Sequence, residues 1–95
     1  ITQGSIATGG VSREELFNSG EAAIASGNTT EAADWYQKAT AADPAWGKPL
    51  FKLALVSLNT GDTAAAVQYL EQVIAVDPNS EEGVQASALI TQLQP

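Results

Sequence analysis

Residues 44–78 read PAWGKPLFKLALVSLNTGDTAAAVQYLEQVIAVDP, running from the Asp43-Pro44 step to the Asp77-Pro78 step. The two prolines stand 34 residues apart, and moving the chain back by that interval lays Leu50 on Leu16, Phe51 on Phe17, Gly61 on Gly27, Ala66 on Ala32 and Asp77 on Asp43. An internal repeat of this length, with helical periodicity inside each unit and a proline at its close, is the spacing of a stacked helix-turn-helix array. Pro49 falls in the first turn of a helix over residues 47–60, where its missing N–H would have no intrahelical acceptor in any case. Gly61-Asp62 then supplies a residue tolerant of positive φ followed by an N-cap. Residues 63–76 read as the return helix, with Ala66, Tyr69, Leu70 and Val73 inward. Asp77-Pro78 stops that helix, because the residue before a proline is pushed out of the helical region.

The first unit follows the same plan. Ser12-Arg13-Glu14-Glu15 is a capping box, and the helix it opens carries Leu16, Ser19, Gly20 and Ala23 on one stripe. Gly27-Asn28 ends this run and caps the next, with Glu31 placed to repeat the capping logic behind Asn28. The second helix spans Thr29 to about Ala42 with Ala32, Trp35, Tyr36 and Ala39 inward. Beyond Pro78, Asn79-Ser80 opens a fifth helix from Glu81 to about Leu93. Val84, Ala88 and Thr91 are expected on its inner stripe, and Gln85, Gln92 and Gln94 on a polar outer face. Residues 1–10, ITQGSIATGG, hold three glycines, no charge and no helical period. The expected architecture is all-α, a helix-turn-helix repeat solenoid: a linker or extended arm at 1–12, one repeat at 13–46, a second at 47–80 and a capping helix at 81–95.

Composition narrows the function. Eleven acidic residues against four basic ones give a net charge of −7. That disfavours nucleic acid and anionic membrane surfaces, both of which need clustered Lys or Arg to meet phosphates. With no cysteine and no histidine, the chain lacks thiolate and imidazole chemistry and the usual zinc ligands. The apolar run from Leu53 to Leu58 is far short of the roughly 20 residues that span a bilayer, so a soluble domain is expected. The opening at Ile1, with no initiator methionine, is expected of a processed product or an excised domain. Several motif-like stretches reduce to helix punctuation. Asp77, Asn79 and Glu81 alternate like the start of a calcium loop, but Glu82 stands where that loop requires glycine. Gly47-Lys48 lacks the upstream glycine of a phosphate loop. Glu14-Glu15 and Glu81-Glu82 lie in first helical turns, where negative charge meets the helix dipole favourably. Asn28-Thr29-Thr30 matches a glycosylation acceptor and reads as a cap. No nucleophile, base and metal ligand assemble in recognisable order, so neither an enzyme nor a cofactor or metal site is expected.

These residues also carry a resemblance to the tetratricopeptide repeats, over about 80 of the 95 positions. The family's pattern of large residue, leucine, small residue and aromatic in the first helix, then small residue, aromatic and proline in the second, resembles Leu16, Ser19, Gly20 and Ala23 followed by Ala32, Tyr36 and Pro44. The second copy is similar, with Leu50, Leu53, Ala54 and Ser57, then Ala66, Leu70 and Pro78. Ser19, Ala23 and Ser57 depart from it by placing small or polar groups where the family prefers bulk.

The resemblance implies a non-enzymatic module that binds a protein or peptide in the concave groove of the stack. By carry-over the groove residues are Glu14, Phe17, Glu21, Ile24, Lys48, Phe51, Leu55, Asn59, Gln85 and Leu89. The version of the family that clamps acidic chaperone tails is resembled poorly, since Phe17 and Glu21 stand where that clamp has a lysine and an asparagine. Lys48 and Lys52, one helical turn apart, are the only clustered cations. The helix over residues 49–58 is apolar almost all round, so something must cover more than one of its sides. That cover is either the stack itself or a ligand over Phe51, Leu55 and Phe17. The alternative function is self-association, or docking within a larger protein, because two repeats are near the lower limit for an independent stack.

Overall fold

The computed structural model describes residues 11–94, so all but the last two residues of the arm expected at 1–12 lie outside the described residues. Five helices follow in order: α1 (Arg13–Ala25), α2 (Thr29–Ala42), α3 (Gly47–Asn59), α4 (Thr63–Val76) and α5 (Glu81–Leu93). No strand occurs among the described residues. The one boundary that moves is the end of α3, where Thr60 is the C-cap and not the last helical residue.

The two intra-repeat turns are built alike. Gly27 and Gly61 take φ of +81° and +85°, a region that costs a residue with a Cβ and costs glycine little. Through each glycine the next amide turns back, Asn28 N donating to Ala23 O at 2.8 Å and Asp62 N to Ser57 O at 2.8 Å. Glu15 N donates to the Ser12 hydroxyl and Ser12 N to the Glu15 carboxylate, which completes the capping box. Asp62 and Ser80 accept from Ala65 N and Gly83 N at 3.1 and 2.9 Å. Asn28 departs from expectation, since its side chain makes no capping bond. The reciprocal half of the cap is diverted as well: the Glu31 carboxylate accepts from Trp35 Nε1 one turn along, at 3.2 Å.

Each repeat is a helical hairpin, α1 on α2 and α3 on α4; α2 packs on α3, and α5 packs on α4 and touches α3. Small residues set how close the helices come. Ala32, Ala39, Ala54, Ala66 and Ala86 have no exposed surface, and neither do Leu70 and Val73. At Gly20 a Cβ would lie 2.5 Å from Tyr36 Cε1, so the ring occupies the space that glycine leaves open. Trp35 sits half-buried at the edge of the α2 stripe, with the Lys38 ammonium 4.7 Å from its ring.

The inner face of α5 differs from expectation. Val84, Ala88 and Thr91 are exposed, while Gly83 and Ala86 are buried and Leu89, Ile90 and Leu93 pack on the core. The repeat register names the face that a first helix turns toward its own return helix. Among the described residues α5 has no return helix, so it rests on α4 through the neighbouring face.

Candidate functional site

Tyr36 connects the core to the surface between α1 and α3. Its ring is buried in α2 and passes beside Gly20, and its hydroxyl then emerges at the next residue of α1, donating to Glu21 Oε2. Glu21 Oε1 in turn lies 3.6 Å from Lys52 Nζ on α3. The α1–α3 side of the stack is therefore floored by a Tyr36–Glu21–Lys52 chain, with the phenol protected and the two charges facing solvent. Burial first, and the adjacent Glu21 carboxylate second, push the Tyr36 phenol well above its ordinary value.

Two depressions adjoin along this side and share Glu21 and Lys52. The first, about 350 Å³, lies between α1 and α3 and includes Ile24, Tyr36, Leu55 and Asn59 in its lining. The second, about 250 Å³, reaches toward α5 and is lined by Phe17, Lys48, Phe51, Glu82 and Gln85 besides the shared pair. Their walls are unlike. In the first, Ile24 and Leu55 are 44% and 38% exposed, an unusual state for two large aliphatic side chains facing one hollow. In the second, Phe51 is only 9% exposed and belongs to the core cluster with Leu50 and Leu53. Phe17 is half-buried, its ring centroid 5.5 Å from that of Tyr36 and 5.4 Å from that of Trp46. The surplus apolar surface of α3 is thus divided, with Phe51 enclosed by the stack and Leu55 left open.

Of the ten residues expected in the groove, the structure gathers eight around these hollows: Phe17, Glu21, Ile24, Lys48, Phe51, Leu55, Asn59 and Gln85. Leu89 instead packs against the core. Glu14 lies at the start of α1, where Arg13 Nε donates to it at 2.8 Å. That hydrogen bond holds the Glu14 carboxyl below the usual carboxylate range. Arg13 also donates to Asp43 and lays its guanidinium 4.1 Å from the centre of the Trp46 ring. Trp46 is thereby fixed between α1 and the turn into α3, folded back onto neighbouring side chains. Thr29, Tyr36, Lys52, Val56 and Glu82 also line the hollows and were not among the expected residues. The Gly20-Glu21 pair was the available signal for Tyr36, since a glycine beside a groove carboxylate lets a buried ring reach it.

A pH dependence follows from the Tyr36 environment. In the unfolded chain a tyrosine titrates near 10, whereas the folded chain holds this proton to higher pH. The folded state therefore binds more protons than the unfolded state above about pH 10, and stability falls there as pH rises. The contribution is fully present below that pH and is lost toward the raised folded-state value. Denaturant midpoints between about pH 8 and 11.5 should fall less steeply for Tyr36→Phe than for the native chain. Equal slopes would separate Tyr36 from the alkaline loss.

Among the described residues no cluster of acidic side chains could hold a metal ion, and no helix is long and apolar enough to cross a membrane. No curated protein matches the chain. A family model does match, that of the tetratricopeptide repeat, over residues 23–93. That span runs from the end of the first helix to the end of the last, and with the paired hairpins and their repeated glycine turns it leaves one conclusion: the chain belongs to the tetratricopeptide repeat family.

Proposed function

We propose that the α1–α3 side of this domain binds an extended segment of a partner protein, with one apolar side chain of that segment seated between Ile24 and Leu55. Tetratricopeptide repeats generally mediate protein–protein interaction. The observation that carries the finer reading is the exposure of Ile24 and Leu55 on two sides of one hollow, where burial of either would release apolar surface from water at about 25 cal/mol per Å². Glu21, Lys52 and Asn59 edge the same hollow and supply an acceptor, a cation and an amide to the polar backbone of an extended chain. The mixed signs favour a segment of low net charge over the acidic tails that a clamp of lysines and asparagines selects.

The test uses the whole chain and peptides selected against it from a random display library. Leu55→Glu should weaken the selected peptides by at least about tenfold, equivalent to 1.4 kcal/mol. Its stability should change little, because the side chain is already more than a third exposed. Selected binders that tolerate both Leu55→Glu and Ile24→Glu would place recognition elsewhere on the domain.

A further inference from the structure

One stripe of α5 repeats an interface that the molecule already makes twice. Stepping by the repeat interval, Val84, Ser87, Ala88 and Thr91 fall on Leu50, Leu53, Ala54 and Ser57 of α3, and on Leu16, Ser19, Gly20 and Ala23 of α1. In α3, the helix paired with α4, that stripe is 3%, 3%, 0% and 9% exposed. In α1, paired with α2, Gly20 and Ala23 are buried. In α5 all four positions are exposed, and Val84, at 63%, is the most exposed of the large apolar side chains described. The helix is held by its other face, where Gly83 and Ala86 are buried and Leu89, Ile90 and Leu93 meet the core. The stripe is therefore presented on an anchored element.

We propose that this stripe is a docking surface for one amphipathic helix of a partner protein, seated on α5 as α4 is seated on α3. Continuity with the two existing interfaces states the chemistry of that helix. Both return helices carry a small residue, a large one four positions on, and a small or branched one three beyond that: Ala32, Tyr36 and Ala39 in α2, and Ala66, Leu70 and Val73 in α4, each at most 1% exposed. The size of the large residue is matched to its socket. Tyr36 occupies the space beside Gly20 that a Cβ would fill. Where the register places Ala54 in the glycine position, the return helix brings Leu70 in place of a ring. Ala88 holds that position in α5, so the docking helix carries leucine there. This surface is distinct from the α1–α3 hollows, whose lining does not include Val84 or Ala88.

The experiment titrates the full chain with two helical peptides. One has the α4 sequence of residues 62–77, cross-linked between the exposed positions 68 and 72; the other has the α2 sequence of residues 28–43, cross-linked at the equivalent exposed positions 34 and 38. Cross-linking removes most of the ordering cost that would mask binding of a short helix. The leucine-bearing peptide should shift amide resonances of α5, and its dissociation constant should rise by at least about tenfold in Val84→Glu while staying unchanged in Leu55→Glu. The tyrosine-bearing peptide should bind more weakly and recover in Ala88→Gly. Three results would overturn the proposal: no binding of either peptide at about 1 mM, binding indifferent to Val84→Glu, or a concentration-dependent dimer of the peptide-free chain that Val84→Glu abolishes, which would make a second copy the occupant.

Discussion

Gly83→Ala should destabilise the domain by about 3 kcal/mol or more, the upper end of what inserting a methyl into a tight contact costs. Taken alone, the substitution improves a helix, since alanine is favoured over glycine by roughly 1 kcal/mol in a helix interior. The structure reverses the sign. A Cβ at Gly83 would collide with the Asp77 carbonyl oxygen and lie 2.7 Å from the Pro78 carbonyl oxygen. Both are backbone atoms and cannot rotate aside as a side chain can. The Asp77 carbonyl is also in use, accepting from the Ser80 hydroxyl at 2.8 Å and from Ser80 N at 3.3 Å. Moving it disturbs the residue that caps α5. Denaturant unfolding reads the loss, and amide hydrogen exchange tells global destabilisation from release of α5 alone. A variant within about 0.5 kcal/mol of the native chain, the range of an ordinary surface change, would mean that α5 does not approach the Asp77-Pro78 turn in this way.

Phe51→Ala should cost about 3–5 kcal/mol, the usual penalty for truncating a core phenylalanine. A domain of this size has a total stability of only about 4–13 kcal/mol, so much of the population should unfold under mild denaturant. The side chain is 9% exposed and sits in the cluster formed with Leu50, Leu53, Leu70 and Val73. Leu55→Ala, one turn further along α3 at 38% exposure, should cost less than about half as much, because the fold leaves more than a third of its surface in water. Phe51→Leu keeps most of the volume and should stay within about 1.5 kcal/mol, which leaves a folded species to compare. A larger loss for Leu55→Ala than for Phe51→Ala would invert the division between core and open hollow.

The repeat and its punctuation were legible because they are local. Ser12, Gly27, Gly61, Asp62 and Ser80 act through bonds to residues a few positions away, and the Asp-Pro steps act through sterics on the adjacent residue. Asn28 shows where local chemistry has two outcomes: Glu31 can reach back to the cap or forward to Trp35, and nothing in the spacing chooses. The face of α5 differs from expectation for another reason. A register fixes which residues are equivalent, while burial depends on whether the equivalent neighbour is there, and no return helix packs on α5 among the described residues.

The expected groove residues divide in the same way. The repeat puts them on the first helices, and eight of the ten line the two hollows. Whether Phe51 or Leu55 is the open one depends on α5 packing across α3, a contact between segments some thirty residues apart in the chain. The linkage of Tyr36 through the Gly20 gap to Glu21 and on to Lys52 likewise joins three helices. The helices, the caps at Ser12, Asp62 and Ser80 and the glycine turns could be read from the residues alone, since each rests on the local preferences of a few neighbours. Which apolar side chains are enclosed, which carboxylate meets the buried phenol and which face of the last helix is left uncovered could not be read that way, because those depend on what lies across the gap between helices.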